Sequence, residues 1–332
     1  MRTNFRALVV REVKDNNFKR KIEIRNIDDL PQGEVLIRVH YSSLNYKDAL
    51  SAKGHKGITR TYPHTPGVDA AGIVEKSTSL KFHTGDSVIV TGYDLGMNTD
   101  GGFAEYIRVP KEWVIPLPLG LSLKESMIFG TAGFTVGLCL REFEKQHLLP
   151  GSGKILVTGA SGGVGSLAVL MLSKLGYKVT ASTGKPEKAE FLKKLGAVEI
   201  ISREEVSDNT NKQLLPIKWA GVIDNVGGNT LSTAIRSTQP YGVVASIGLV
   251  SSDKLETTVY PFILRGISLV GINSAESLKK QRRYFWKQIV PNFKSKLTNE
   301  IYKEVTLECL DKEIDLMLKG KQIGRVIVNL IE

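Results

Sequence analysis

The segment Leu156-Val157-Thr158-Gly159-Ala160-Ser161-Gly162-Gly163-Val164-Gly165 has the composition and spacing of a phosphate-binding turn. A dinucleotide pyrophosphate needs backbone N–H donors at a helix N-terminus and no side chains in its way. Ala160, Gly162 and Gly165 supply an A-x-G-x-x-G pattern, and Ser161 and Val164 can offer their N–H groups. A glycine pattern alone is weak; an apolar strand before it and an apolar helix after it make it a dinucleotide site. Further along stands Ala181-Ser182-Thr183-Gly184-Lys185. An NAD site places a carboxylate after its second strand to accept from the ribose 2′-OH. Here Thr183 can donate a hydrogen bond and Lys185 brings positive charge, with Arg203 as a second cation. That set favours the 2′-phosphate of NADPH.

Other polar residues carry weaker signals. Asp224-Asn225 ends a strand, where open sheets bind ligands, so it either faces the cofactor or only supports the fold. Asp69 reads as a turn-stabilising residue. His55 and His64 belong with a basic loop, Lys53–Arg60, either solvated or able to meet coenzyme A phosphates. The two cysteines, Cys139 and Cys309, fit neither a disulfide framework nor a zinc ribbon, and Cys139 reads as a small buried hydrophobe.

The elements that must position these residues fall into two patterns. The first third is β-rich: Val35–Tyr41, Ala71–Glu75 and Asp86–Val90 read as strands separated by Gly and Pro, as in a small barrel. A helix follows near Ser122–Leu140. From Lys154 strand and helix alternate. Strands are expected at Ile155–Val157, Lys178–Ala181, Val198–Ile201, Gly221–Asp224, Val243–Gly248 and Ser268–Gly271. Leu167–Leu172 opens a helix that is apolar nearly all round. Pro186 suits a helix start, and Gly196 suits a helix end. This alternation predicts a doubly wound parallel sheet, a Rossmann-type domain. The tail has helices around Leu278–Gln288 and Leu310–Lys319, then a closing strand Arg325–Asn329 that returns to the first domain. The expected division is 1–122, 123–273 and 274–332.

The 332 residues call for about two domains. No apolar run is long enough to span a membrane, and Met1–Arg6 lacks a signal-peptide core, so a cytoplasmic protein is expected. The formal charge of +11 would suit anionic partners, but the lysines are scattered and no nucleic-acid motif accompanies them. A lysine-rich solvated surface is the plainer reading, with no nucleic acid and no membrane as partners.

The turn also resembles the short-chain dehydrogenase signature through Thr158, Gly159, Gly163 and Gly165. That family places the motif at its N-terminus and adds a downstream Tyr-x-x-x-Lys, which this chain lacks: Tyr284 and Lys287 are one residue too close. The plan of a β-rich domain, a nucleotide domain and a return resembles instead the medium-chain dehydrogenase/reductase superfamily. Where its zinc-dependent members carry ligands, this chain has Asn45, Val68 and Thr131. Amide, aliphatic and hydroxyl groups do not make a zinc site, so no metal is expected.

The resemblance tightens at Ser42-Ser43-Leu44-Asn45-Tyr46-Lys47-Asp48-Ala49-Leu50, Thr65–Gly72, Gly130–Thr135, Thr158–Gly165, Pro261–Arg265 and Gly324-Arg325. These segments, spread over nearly the whole chain, are similar to the zinc-free YhdH/YhfP-type quinone oxidoreductases, a group that includes NADPH-dependent acryloyl-CoA reductases. The resemblance implies a GroES-like β-rich catalytic domain, a Rossmann domain, and a homodimer with cofactor in the cleft between domains. It implies NADPH contacts from Tyr46, Thr131, Ser161, Gly162, Gly163, Val164, Thr183, Gly184, Lys185, Arg203, Leu249, Ile263, Ser274 and Arg325. Lys185 stands where relatives often have Arg, keeping the charge and losing bidentate geometry.

Without a metal, a conjugated acceptor suits the site better than a plain ketone, because its own carbonyl takes up electrons as hydride reaches the β carbon. The protein must align the nicotinamide with that carbon and donate hydrogen bonds to the developing enolate oxygen; Asn45 and Tyr46 are the candidate catalytic residues lining that pocket, with Tyr46 either fixing the nicotinamide ribose or orienting the substrate. Three functions follow: reduction of acryloyl-CoA or a related enoyl thioester, quinone or enone reduction, and a non-enzymatic NADPH-sensing or RNA-binding role.

Overall fold

A computed structural model describes residues 3–14, 16–296 and 299–331. In chain order the first elements are β1 (Asn4–Glu12), β2 (Phe18–Asn26), β3 (Val35–Leu44), α1 (Tyr46–Ala52), β4 (Asp69–Ser77), β5 (Ser87–Thr91), β6 (Tyr106–Val109), β7 (Val114–Pro116) and α2 (Leu123–Lys145). Then come β8 (Lys154–Val157), α3 (Gly163–Lys174), β9 (Lys178–Thr183), α4 (Ala189–Lys194), β10 (Glu199–Ser202), β11 (Trp219–Asp224), α5 (Gly228–Ser237), β12 (Thr238–Ser246), α6 (Tyr260–Arg265) and β13 (Ser268–Gly271). The last are α7 (Lys279–Phe293), β14 (Tyr302–Thr306), α8 (Leu310–Leu318) and β15 (Arg325–Asn329).

The chain divides into two compact units, one of Met1–Thr131 with Ala275–Glu332, the other of Ala132–Ser274. The first division falls later than the expected 122/123. Its physical reason is Gly130, whose φ of 49° and ψ of −149° break α2 into two helices. The stretch before the break, including buried Met127, Ile128 and Phe129, stays with the first unit.

The first unit is built on a sheet of order β14-β15-β3-β4-β5-β7, with β6 also paired to β3. β3 is its axis. One edge pairs antiparallel with β4; the other pairs with β6 over Val35–Arg38 and with β15 over Tyr41–Leu44. The sequence explains why: Val35, Leu36, Ile37 and Val39 are buried, and all but Leu36 are β-branched, which suits a pleated interior. β1 and β2 form a separate antiparallel pair. Strand β15 begins and ends where the sequence places it and returns the tail to the first unit. β1, β2 and β14 carry mixed charged and apolar residues and gave no comparable signal.

The second unit is a six-stranded sheet of order β10-β9-β8-β11-β12-β13, every pair parallel. In strand order along the chain this is 3-2-1-4-5-6, the doubly wound arrangement whose order reverses between the first and fourth strands. Helix α3 starts at Gly163, a turn earlier than the apolar run suggests, because Gly162 caps it in extended conformation. Gly196, at φ +105°, ends α4: its N–H reaches Lys193 O, and Ala197 N reaches Leu192 O, a Schellman closure. Cys139 is fully buried, and burial pushes its thiol upward. Among the described residues no helix is long and apolar enough to cross a membrane.

Candidate functional site

In the first unit the functional side chains gather around one carboxylate. Asp69, at the start of β4, is completely buried. It accepts from Ser43 Oγ at 2.7 Å and Asn45 Nδ2 at 2.8 Å. It also takes the Thr131 backbone N–H at 3.0 Å and the Thr131 hydroxyl at 2.6 Å. Arg325 stands behind it, its Nη2 3.9 Å from Oδ2. Gly130 makes this approach possible: a Cβ there would lie 2.6 Å from Asp69 Oδ2 and 2.9 Å from Ser43 Oγ. The positive φ at Gly130 and the missing side chain serve the same end, aiming Thr131 at Asp69.

Arg325 was expected to touch the cofactor. Its guanidinium is instead buried and committed: Nε donates to Ile128 O at 3.0 Å, Nη1 to Leu44 O and Asn45 Oδ1 at 3.3 Å, and Nη2 to Ser43 Oγ at 2.8 Å. Burial pushes it below its ordinary value, and the Asp69 and Asp48 charges oppose that push. It is a clamp on the ends of β3 and α2. Asn45 is similarly occupied. Its amide nitrogen donates to Asp69 and to Ser43 O at 3.2 Å, and its oxygen accepts from Arg325. An amide nitrogen has two hydrogens, so Asn45 has none left for an acceptor molecule. Its bonds to Asp69, Ser43 and Arg325 hold the entry to α1. Tyr46, the first residue of α1, is half-buried, and its hydroxyl has no hydrogen-bond partner among the described residues.

Asp48 completes the cluster. Its carboxylate accepts from Asn45 N at 2.7 Å, closing the helix start, and from Val68 N at 2.8 Å and Gly67 N at 3.2 Å. Burial pushes it up to about 7, with the Asp69 charge adding and the backbone donors opposing. Lys47 is held below its ordinary value by burial, while Asp48 and Glu276 pull the other way. Neither aspartate was singled out as functional from the sequence. The available signal was a lone charge inside the apolar run Val68-Asp69-Ala70-Ala71; a charge in such a run is buried with partners. His64 is a further correction: burial holds its imidazole below the ordinary value, and its backbone pairs with Val10, so it is no part of a solvated loop.

Zinc does not fit here. Asn45 and Thr131 are tied to Asp69, Val68 offers only carbon, and no cluster of three His, Cys, Asp or Glu suited to a metal occurs among the described residues.

In the second unit the phosphate turn is built from backbone. Gly159, at φ +56°, turns the chain out of β8, and Gly162 N–H donates to its carbonyl at 3.0 Å. Gly165 lets α3 press onto the turn: a Cβ would sit 2.3 Å from Gly159 O. Thr158 donates to buried Asp224 at 2.7 Å, Asp224 in turn accepts from Gly227 N, and Asn225 Nδ2 holds Thr158 O. Burial raises Asp224 above the usual carboxylate range. Asp224 and Asn225 therefore brace the turn from below. Ser161 Oγ and Thr183 Oγ1 lie 3.0 Å apart, and Thr183 Oγ1 also accepts from Lys185 N.

At the end of β9 the cations collect. Arg203 lies against Gly184, where a Cβ would meet its guanidinium at 2.2 Å, and Nη2 reaches Gly184 O at 3.4 Å. Lys185 is half-buried and lowered by that burial, with Lys188 and Arg203 adding to the effect and Glu187 opposing it. Half-buried Lys185 near exposed Arg203, whose Nε also lies 3.7 Å from Glu204 Oε1, suits an anion. A pyrophosphate fits the N-terminus of α3, and a 2′-phosphate fits Thr183, Lys185 and Arg203. Gly163 and Val164 open α3, Leu249 and Ile263 are exposed, and Ser274 is half-buried.

Residues 31–119 match the family model of the alcohol dehydrogenase GroES-like domain, and residues 163–293 match that of the zinc-binding dehydrogenases. YhfP of Bacillus subtilis, a quinone oxidoreductase by name, is 45% identical over 99% of this chain and 100% of its own. Its crystal structure with NAD bound superposes with a TM-score of 0.93. The acrylyl-CoA reductase AcuI of Ruegeria pomeroyi is 39% identical over 98% of this chain and 99% of its own. The YhdH oxidoreductase of Salmonella enterica in complex with NADP is 40% identical, covers 98% of this chain and 99% of its own, and has a TM-score of 0.93.

Proposed function

This chain belongs to the medium-chain dehydrogenase/reductase family, and on that premise we propose that it is an NADPH-dependent, zinc-independent reductase of the C=C bond of acryloyl-CoA or a related enoyl thioester. The observation that carries this reading is the pairing of two features. Of the three positions where zinc-dependent members hold their metal, Asn45 and Thr131 are bonded to Asp69 and Val68 offers only carbon, and residues 183–185 at the end of β9 bring a hydroxyl and a cation and no carboxylate. When bound, the nicotinamide supplies the hydride. The Lys185–Arg203 pair holds the 2′-phosphate, and the first N–H groups of α3 hold the pyrophosphate. Tyr46 presents its unpartnered hydroxyl to the carbonyl oxygen of the acceptor, donating a hydrogen bond as negative charge develops there. Asn45, Asp69 and Arg325 fix the N-terminus of α1 so that this hydroxyl keeps its direction. The Tyr46 proton or solvent completes the reduction at the α carbon.

A second reading, quinone reduction, is favoured by the 45% identity to a protein of that name. The same hydroxyl would serve a quinone carbonyl. Steady-state oxidation of NADPH and NADH with acryloyl-CoA, with 1,4-benzoquinone and without acceptor separates the two. The thioester reading expects kcat/KM highest for acryloyl-CoA with NADPH; a preference for benzoquinone overturns it. Tyr46→Phe is expected to lower kcat by about 100-fold at unchanged KM for NADPH, the scale of a positioned proton donor. Unchanged turnover would remove Tyr46 from the chemistry. The enzyme is further proposed to act as a homodimer. β13 is an edge strand, and α6, which leads into it, exposes Tyr260, Ile263 and Leu264. Light scattering on the purified protein tests this, and a monomer at working concentration refutes it.

A further inference from the structure

Helix α7 carries a feature that neither the hydride site nor the fold requires. Its sequence Lys279-Lys280-Gln281-Arg282-Arg283-Tyr284-Phe285-Trp286-Lys287 is strongly basic. Lys280, Arg283, Tyr284 and Lys287 recur at helical spacing, and all four are exposed. Arg283 and Lys287 have no ion-pair partner among the described residues. Between them and the segment after β7 lies a cavity of about 500 Å³, lined by Pro116, Pro118, Leu119 and Trp286 as well as by the two cations. Leu119 is 98% exposed, although it is aliphatic. Trp286 is 1% exposed, and its indole N–H is buried without a hydrogen-bond partner. Two cations without an ion-pair partner among the described residues, set beside an apolar wall, are suited to an anionic group that also carries an apolar part.

These groups match an adenosine that carries phosphate. The apolar wall suits the base, and Arg283 and Lys287 suit a phosphomonoester. The volume is of the size that holds such a group. The base of α7 is also tied to the candidate site within the same unit. Arg282 Nη1 donates to Thr91 O at 2.7 Å, and Thr91 is the cross-strand partner of Asp69. Glu276, just before α7, acts on Lys47, the neighbour of Tyr46.

We infer that the Arg283–Lys287 face of α7, with the Pro116–Leu119 wall and Trp286, is the subsite for the phosphoadenosine end of a coenzyme A thioester. This rests on reading the acceptor as an enoyl thioester. The experiment measures KM and kcat for acryloyl-CoA and for the acryloyl thioester of pantetheine, which lacks the phosphoadenosine. It also measures direct binding of coenzyme A and of adenosine 3′,5′-bisphosphate to the NADPH-saturated enzyme. It compares wild type with Arg283→Ala/Lys287→Ala, whose side chains are exposed.

Loss of two charge-assisted contacts is expected to raise KM for acryloyl-CoA about tenfold or more at unchanged kcat. KM for the pantetheine thioester and for NADPH stays the same, and coenzyme A binding weakens by the same factor as KM for acryloyl-CoA. Equal effects on both thioesters, or none on coenzyme A binding, overturn the inference. Binding of the free bisphosphate that depends on both cations, without binding of coenzyme A, assigns the subsite to a free nucleotide and also overturns it. If wild type turns over neither thioester, the thioester reading itself fails, and the coenzyme A binding arm alone then decides the subsite.

Discussion

Around Asp69 side chains hold side chains, whereas around Gly159–Gly165 the turn is shaped by backbone and by absent side chains. The first region is a buried network of two carboxylates, a guanidinium, an amide and two hydroxyls. Each partner satisfies another, and removing one leaves a charge without compensation in a low-dielectric interior. The second has its charges at the rim, on half-buried Lys185 and exposed Arg203, and its geometry in Gly159, at φ +56°, and Gly165, where a Cβ would lie 2.3 Å from Gly159 O. The difference separates two ways of losing function. Damage to the first region costs stability together with activity. Damage to the rim of the second costs cofactor affinity alone.

The strongest way to break this contrast is Asp69→Leu. It takes from buried Arg325 the larger of its two opposing charges and leaves only Asp48, and is expected to destabilise the protein by about 3–5 kcal/mol, measured by urea unfolding. A loss under about 1 kcal/mol would mean that the network is not what holds the unit. Asp48 gives a pH-dependent version. Its folded value is raised to about 7, so the native state binds its proton where the unfolded chain has released it. The stability from that proton is full at pH below about 4 and is lost as pH rises toward about 7, by at most about 1.4 kcal/mol per pH unit. Asp48→Asn should flatten that slope in unfolding curves taken from pH 4 to 8; an unaltered slope assigns it to other groups.

In the second unit, Gly165→Ala forces a Cβ toward Gly159 O and should cost about 1–3 kcal/mol by overpacking, with weakened binding of NADPH and NADH alike. Calorimetric titration with both cofactors checks this. The smallest change is expected from Lys185→Ala/Arg203→Ala. KM for NADPH should rise about tenfold while KM for NADH and the melting temperature hold. A melting temperature that fell as far as in the Asp69 variant would erase the distinction between the regions.

What could be read from the residues follows the same division. The six strands of the nucleotide sheet are apolar runs with clear punctuation, and a glycine turn is local in sequence, so the strand–turn–helix unit of β8, Gly159–Gly162 and α3 was legible from the residues. Asp69 was not. Its partners Ser43, Asn45, Thr131 and Arg325 come from β3, α1, α2 and β15, and no local pattern records that they converge. Arg325 shows the limit of inference by resemblance: its position in the chain was expected, but its guanidinium faces inward. Asn45 was expected to line the substrate pocket, and only the structure shows its amide bonded to Asp69, Ser43 and Arg325.

The sequence by itself determined the class of sheet, the nucleotide turn, the cationic choice against a carboxylate and the loss of zinc ligands, because each depends on residue type at short range. The tertiary structure alone decided which polar groups remain available. Hydrogen-bond saturation is a property of residues brought together from distant segments, and it withdrew Asn45 and Arg325 into the interior. It left Tyr46 and the basic face of α7 with groups still unmet.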